Sequence, residues 1–245
     1  MAKYTDFGYQ SVPEQDKAKL VRNVFSSVAV NYDLMNDLMS LGVHRLWKQR
    51  LLQVAGATSN SIIVDLASGT ADIALGFAKQ ITNGCIWLTD INEDMLNLGR
   101  DKMINHGHIT NTNFSVANAQ ELPFPDDFCD IITISFGLRN VTNKNKALEE
   151  MYRVLKPKGK ALILEFSHPT STTFSKIYDF YSFNILPKIG KVVADDEDSY
   201  QYLVESIRKH PKQEKLCSMM SDAKFTVCDY ENLTGGLVAI HYGIK

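Results

Sequence analysis

The chain has 245 residues, 44% of them hydrophobic, enough to bury a full core in a single α/β domain. Its 26 basic and 28 acidic side chains leave a formal net charge of −2, which excludes a global field that would draw the protein to nucleic acid or to an anionic membrane. The N-terminus, MAKYTDFGYQSVPEQDK, lacks the apolar run of a signal peptide, and no stretch of about 18 apolar residues occurs anywhere, so a cytoplasmic protein is expected.

Residues 1–13, with Gly8, Ser11 and Pro13 and no sustained period, read as a flexible arm. From Glu14 the spacing turns helical: Leu20, Val21, Val24 and Phe25 form one stripe, Tyr32, Leu34, Met35 and Leu38 follow, and Leu46 to Val54 repeats the signal before Gly56. A helical leader over 1–55 is predicted. Next come short apolar runs at Ser61–Leu66, Cys85–Thr89, Thr112–Ala117, Asp130–Ser135 and Ala161–Phe166, read as strands. Ala71–Gln80, Asn92–Asn105 and Asn143–Leu155 have helical spacing, the last stopping at Pro157 and Gly159. Alternating strands and helices imply a parallel sheet covered on both faces, over a core at 56–170.

The aromatic segment Ser171–Pro187 carries Phe174, Ile177, Tyr178, Tyr181 and Ile185 at helical intervals, and a polar helix is expected around Ser199–Lys209. This insertion, 171–222, reads either as core helix or as a lid over an apolar substrate, because Phe180 and Phe183 fall off the main stripe. Two last strands, Phe225–Tyr230 and Leu237–Tyr242, are separated by Asn232–Gly236 and suit an antiparallel hairpin on the sheet edge, closing the chain at 223–245. Asp195–Asp198 (DDED) reads as solvated loop. Cys85, Cys129, Cys217 and Cys228 lack CxxC spacing and read as reduced structural thiols, and the histidines show no metal-ligand spacing, so no metal is expected.

In an open α/β sheet, ligands bind beyond the carboxyl ends of the strands, where strand order reverses. The first of these ends is IIVDLASGTAD (Ile62 to Asp72), a small-residue loop with one glycine, Gly69, where a dinucleotide fingerprint has three. Asp90 ends the second strand, 21 residues past Gly69, where an acid takes the hydroxyls of a ribose; the alternative is an N-cap for the helix starting at Asn92. A pyrophosphate needs glycines so that backbone can approach it, whereas a nucleoside without phosphates does not. S-adenosylmethionine is such a ligand. Its adenosine would sit over Asp90 with the Asn118–Ala119 corner bounding the base, and its amino-acid tail would meet Ser68 to Thr70. Asp65 would order that loop or bind the ammonium; ordinary turn chemistry is the alternative for Asp65 and Thr70.

Several segments carry a resemblance over nearly the whole chain: NYDLMND (31–37), DINEDML (90–96), ANAQELPFPD (117–126), TISFGLRNV (133–141), MYRVLKP (151–157), YSFNILPKIG (181–190) and DSYQYLVESIRKHP (198–211). The chain resembles the bacterial ubiquinone/menaquinone biosynthesis C-methyltransferases, and ISFGLRN with YSFNILP is the most specific part of the match. The resemblance implies a class I, Rossmann-like S-adenosylmethionine-dependent methyltransferase with a mostly parallel seven-stranded sheet, an antiparallel C-terminal hairpin and helices on both faces. It implies C-methylation of a polyprenylated quinol, demethylmenaquinol or 2-polyprenyl-6-methoxy-1,4-benzoquinol. Carried over to this chain, the cofactor positions are Thr70, Asp90, Asn118, Ala119 and Ser135, beside Asp65 and Gly69 from the loop argument. The family usually reads GGTGD where this chain reads Ser68-Gly69-Thr70-Ala71-Asp72, and commonly has glycine where Lys158 stands. Cofactor binding is expected to survive the first change because both replacements are small.

Attack by a ring carbon on a sulfonium methyl needs alignment, loss of a proton from the adjacent hydroxyl, and a cation for the developing phenolate, so the acceptor must be the reduced quinol. Arg139 is the candidate for the cation, and a water held by Arg139 with Tyr32 or Asn140 is the candidate proton acceptor; an ion pair at the surface is the alternative for Arg139, and His168 is a competing base. The polyprenyl tail implies transient contact with the inner membrane surface. A homodimer or a quinone-biosynthesis complex is compatible with the resemblance. Two rival functions share the fold: a nicotinamide dehydrogenase, disfavoured by the missing glycines, and a non-catalytic cofactor-binding scaffold, which the altered loop would suit.

Overall fold

The computed structural model describes residues 3–28, 32–40, 42–188, 191 and 196–245, with the side chains of 28 and 32–34 outside that description. Residues predicted as a flexible arm form a hairpin instead, β1 (Tyr4–Phe7) and β2 (Gln10–Pro13), turning at Gly8 with φ +58°. Two four-residue strands are too short to show a period, and what orders them is tertiary: the Tyr9 N–H donates to Glu205 Oε2 at 2.9 Å and Phe7 stacks on Tyr202. The leader then supplies α1 (Glu14–Val28), α2 (Tyr32–Ser40) and α3 (His44–Ala55), the last closed by Gly56 in the left-handed conformation.

The alternating region gives β3 (Ile62–Leu66), α4 (Asp72–Ala78), β4 (Cys85–Asp90), α5 (Glu93–Asn105), β5 (Thr112–Val116), β6 (Cys129–Ser135), α6 (Lys144–Val154) and β7 (Leu155–Phe166). β5 reaches β6 through a loop, because Pro123 and Pro125 fall in the connection and a helix there would lose its hydrogen bonds. β7 is twice the expected strand. The chain leaves α6 at Val154 and enters the sheet at once, Leu155 pairing with Cys129, so the Pro157–Gly159 turn is a bulge within a strand rather than a gap after a helix.

Beyond β7 come α7 (Thr172–Asn184), α8 (Glu197–Lys209), α9 (Gln213–Asp222), β8 (Thr226–Leu233) and β9 (Val238–Ile244); α9 is the helix that periodicity did not single out. Asp195 lies outside the described residues, but the rest of the acidic run is not a solvated loop. Asp196 caps α8 by accepting the Ser199 N–H at 3.0 Å, and Glu197 and Asp198 occupy the first turn, where the helix dipole favours negative charge.

Among the described residues seven strands form one sheet, ordered β5-β4-β3-β6-β7-β9-β8. β3 to β7 are parallel, β9 inserts antiparallel beside β7, and β8 is the edge of the expected hairpin. Alternation along β3 sends Ile63 to one face, against α3, α4 and α5, and Val64 and Leu66 to the other, against α6 and α9. Tyr178, Tyr200, Leu203 and Val204 of α7 and α8 belong to the first of these cores, so leader, sheet and insertion share one apolar interior. Strand order reverses between β3 and β6, which is where a ligand crevice is expected.

Candidate functional site

The loop after β3 is left-handed at Ala67 (φ +48°), Gly69 (φ +52°) and Ala71 (φ +67°), a winding that turns successive backbone groups toward β4. Ser68 N–H donates to Thr89 O at 3.0 Å and Gly69 N–H to Asp90 Oδ2 at 2.9 Å. The other carboxylate oxygen of Asp90 accepts the Asn92 N–H at 2.8 Å. The cap of α5 is Asn92, whose side chain accepts the Asp94 and Met95 N–H groups, so Asp90 is not the helix cap. Two backbone donors fix the Asp90 carboxylate while each oxygen keeps a lone pair for a ligand hydroxyl. Burial pushes this carboxyl up to about 6, against those backbone bonds.

Gly69, Asp90, Asn118, Ala119, Ser135 and Asn140 line one cavity at the topological switch, where a ligand of an open α/β sheet is expected. Six of the ten residues predicted for the site are thereby brought together. The same wall includes Ala18, Val21, Arg22 and Phe25 of α1, of which the sequence offered Val21 and Phe25 only as members of a helical stripe. α1 is docked there by Asn92 Nδ2, which donates to Arg22 O at 3.3 Å and Ser26 Oγ at 3.1 Å. An amphipathic helix gives no sign in its own sequence of whether its apolar face meets a core or a ligand.

Asp65 and Thr70 stand off this wall. Asp65 is 1% exposed, and its Oδ1 accepts the Thr133 hydroxyl at 2.6 Å. Its Oδ2 is buried and has no hydrogen-bond partner among the described residues, and neither have Ser68 Oγ and Ser135 Oγ. Thr133 and Ser135 share a face of β6, and Asp65 and Ser68 lie at the carboxyl end of the adjacent β3, so these unpartnered groups sit at neighbouring strand ends. Burial pushes Asp65 up to about 7; the Thr133 bond opposes this and the Asp90 charge adds to it. Orphaned acceptors and donors of this kind fit the ammonium and carboxylate of an amino-acid tail, and with Asp90 for a ribose the residues present fit S-adenosylmethionine.

The altered glycine position is accommodated. Ala71 is fully buried in a left-handed conformation, and it faces α5 at Gly99, where a side chain would meet Ala71 Cβ at 3.2 Å and Gly69 O at 2.7 Å. The extra methyl therefore packs on α5 and is absent from the cavity wall. Asp72 opens α4 between the ammonium groups of Lys48 and Lys102, each at 2.5 Å; burial works against its ionisation, but the two cations bring it to about 2.

After β6 a single 3₁₀ turn, Leu138–Asn140, places Arg139 inward and Asn140 on the cavity wall. Arg139 makes a buried ion pair rather than a surface one: Nη1 lies 2.7 Å from Glu165 Oε1 and donates to Phe136 O at 2.6 Å. Its Nε is buried without a partner among the described residues, and the guanidinium is not on the wall. Tyr32 opens α2, but its side chain lies outside the described residues. His168 is also off the wall, bonding through Nε2 to His210 O at 3.1 Å, a tie between the end of β7 and α8.

The family model described as "ubiE/COQ5 methyltransferase family" matches residues 12–245. The ubiquinone/menaquinone biosynthesis C-methyltransferase UbiE of Pectobacterium atrosepticum is 56% identical over 244 residues, covering 99% of this chain and 97% of the relative. That of Hydrogenovibrio crunogenus is 54% identical over 244 residues, covering 99% and 96%. Among solved structures, a SAM-dependent methyltransferase from Aquifex aeolicus superposes with a TM-score of 0.62 at 17% identity, covering 86% of this chain and 97% of its own. A phosphoethanolamine N-methyltransferase of Haemonchus contortus in complex with S-adenosyl-L-methionine gives 0.60 at 15% identity, covering 81% and 52%. At those identities the structures show a shared fold.

Proposed function

The chain belongs to the ubiE/COQ5 methyltransferase family, and we propose that it transfers the methyl group of S-adenosylmethionine to a ring carbon of a polyprenylated quinol in ubiquinone or menaquinone biosynthesis. The observation that carries this reading is a cavity whose wall holds both Asp90 and Asn140. Bound there, S-adenosylmethionine supplies a methyl group already activated on a sulfonium. Asp90 accepts the ribose hydroxyls with the lone pairs its backbone donors leave, and the Asn118–Ala119 corner bounds the base. Ser135 on the wall, with Ser68 and Asp65 Oδ2 buried behind it, would hold the polar tail, the carboxylate oxygen taking its ammonium and the hydroxyls its carboxylate.

On the acceptor side Asn140 donates its amide to the developing phenolate. Arg139 adds a permanent charge behind it, held in place by Glu165. A guanidinium is a poor base, so the hydroxyl proton leaves to a water held near Arg139, with Asn140 or Tyr32 as its second partner; after transfer the proton on the methylated carbon leaves to the same water and the ring oxygen regains one, for a net release of one proton. Supporting an apolar acceptor, α7 turns Ile177 and Phe180, each 63% exposed, to solvent, while Tyr178 and Tyr181 fasten its other side to Met39 O and Leu38 O. No helix among the described residues is long and apolar enough to cross a membrane. Transient contact of this α7 face with the membrane surface gives the tail its route. Neither rival, dehydrogenase or scaffold, finds support among the relatives.

The test is incubation with S-adenosylmethionine and reduced short-chain benzoquinol and naphthoquinol, with mass spectrometry of the products. A product heavier by one methyl is expected from at least one ring class; no turnover with either would favour the scaffold. Arg139→Lys keeps a charge beside Glu165 and is expected to lower kcat by about tenfold, roughly 1.4 kcal/mol of barrier, with cofactor affinity unchanged. A rate within about threefold of the parent would remove Arg139 from the reaction.

A further inference from the structure

Asn140 is held by a residue of a distant helix. The Tyr202 hydroxyl donates to Asn140 Oδ1 at 2.9 Å, across 62 positions of sequence, and no other acceptor for that hydroxyl occurs among the described residues. The Tyr202 ring is buried, 5% exposed, and stacks on Phe7 with centroids 4.2 Å apart and planes at 22°. Phe7 is presented by the N-terminal hairpin, which is itself tied to α8 by the Tyr9 N–H bond to Glu205. A carboxamide can turn over and exchange its oxygen and nitrogen at almost no cost in shape. Here the exchange would leave a buried tyrosine O–H without an acceptor, so the oxygen is kept toward Tyr202. The Nδ2 group, with no partner among the described residues, then belongs to the cavity side.

We propose that Tyr202 is a positioning residue for methyl transfer: by holding the Asn140 carboxamide oxygen, it presents the Asn140 NH₂ donors, and never the acceptor oxygen, to the ring oxygen of the substrate. An acceptor oxygen at that point would repel the phenolate that forms during the reaction, and a donor stabilises it. Burial raises the Tyr202 hydroxyl above its ordinary value, the Arg139 charge opposing, so the group remains a protonated donor at working pH. The inference rests on the reading that Asn140 meets the acceptor.

Tyr202→Phe deletes the hydroxyl and keeps the ring against Phe7. With a reduced short-chain quinol, kcat is expected to fall about tenfold while S-adenosylmethionine affinity by calorimetry stays within about twofold. In an Asn140→Ala background, assayed with radiolabelled methyl donor, the same substitution is expected to cost less than about twofold, because its effect travels through Asn140. A structural role would give equal losses in both backgrounds, and that result overturns the inference, as does a Tyr202→Phe kcat within about twofold of the parent. Asn140→Asp offers an independent check: it keeps an acceptor for Tyr202 and removes the donors, so activity should drop as far as in Asn140→Ala, and retention within about threefold counts against the proposal. Full activity in Asn140→Ala itself would instead sink the underlying reading of the acceptor site.

Discussion

At the scale of single residues, the role proposed for Asp65 would set function against stability. A carboxylate oxygen buried without a partner costs folding free energy and is worth keeping only where a cation will meet it. Its folded-state pKa is raised to about 7 by burial, so the stability associated with this group is fully present below the unfolded value of 3.8 and is lost as pH rises through about 7. Asp65→Asn retains an acceptor for the Thr133 hydroxyl and removes the buried charge. The melting temperature of the variant minus that of the parent, without cofactor, should therefore climb between about pH 4 and pH 7 and level off above it. Calorimetry on the same variant at pH 8 should show S-adenosylmethionine affinity reduced by about tenfold or more, the loss of one charge-assisted contact. A flat difference in melting temperature, or unchanged affinity, would contradict this account of Asp65. The neighbouring Ser68 and Ala71 are smaller matters. Ser68 adds a hydroxyl where a glycine has none, and the Ala71 methyl packs on α5.

At the scale of elements, the passage from α6 into β7 shows where strain has been left in the chain. Lys158 sits at φ +68° in an exposed turn, its N–H donating to Lys245 O at 2.9 Å, and a side chain in that conformation costs about 1–2 kcal/mol. Part of this would be offset in the unfolded chain by the greater freedom of glycine. Lys158→Gly is expected to stabilise by about 0.5–1 kcal/mol and to raise the melting temperature by roughly 1–4 °C, measured by calorimetry, with no change in turnover because the turn lies at the end of the sheet remote from the cavity. A lower melting temperature would mean that the Lys158 side chain makes a contact worth more than its backbone strain. The N-terminal hairpin carries the converse lesson. Its strands have little to hold them alone, yet through Phe7 and Tyr9 they brace α8, and through α8 the wall of the site.

At the scale of the whole molecule, the net charge of −2 offers no electrostatic attraction to a membrane, so the contact proposed with a lipid surface would have to come from apolar side chains. Ile177 and Phe180 are placed for this on the outer side of α7. Flotation with vesicles carrying a long-chain quinol should recover the parent, and Ile177→Ser with Phe180→Ser should weaken recovery by about tenfold or more, each exposed apolar side chain contributing on the order of 1 kcal/mol when partly buried in lipid. Cofactor binding by calorimetry serves as the check on folding. Equal recovery of parent and variant would move the membrane contact elsewhere on the surface.

Periodicity and spacing by themselves determined the alternating core, the C-terminal hairpin, the acid after the second parallel strand and the kind of nucleotide the loop after the first could hold. These are local properties: a strand or helix buries its apolar stripe with its own period, and a turn displays its requirements within a few residues. Only the tertiary structure decided which partners the polar groups would find. Glu165 drew Arg139 into a buried pair, and Tyr202 seized one end of Asn140. It also made the first helix a wall of the cavity at the topological switch and turned an expected loose arm into a brace. Such contacts join positions 26, 62 or nearly 200 residues apart, and no local pattern encodes them, because a buried donor or acceptor is satisfied by whatever the packed fold brings beside it.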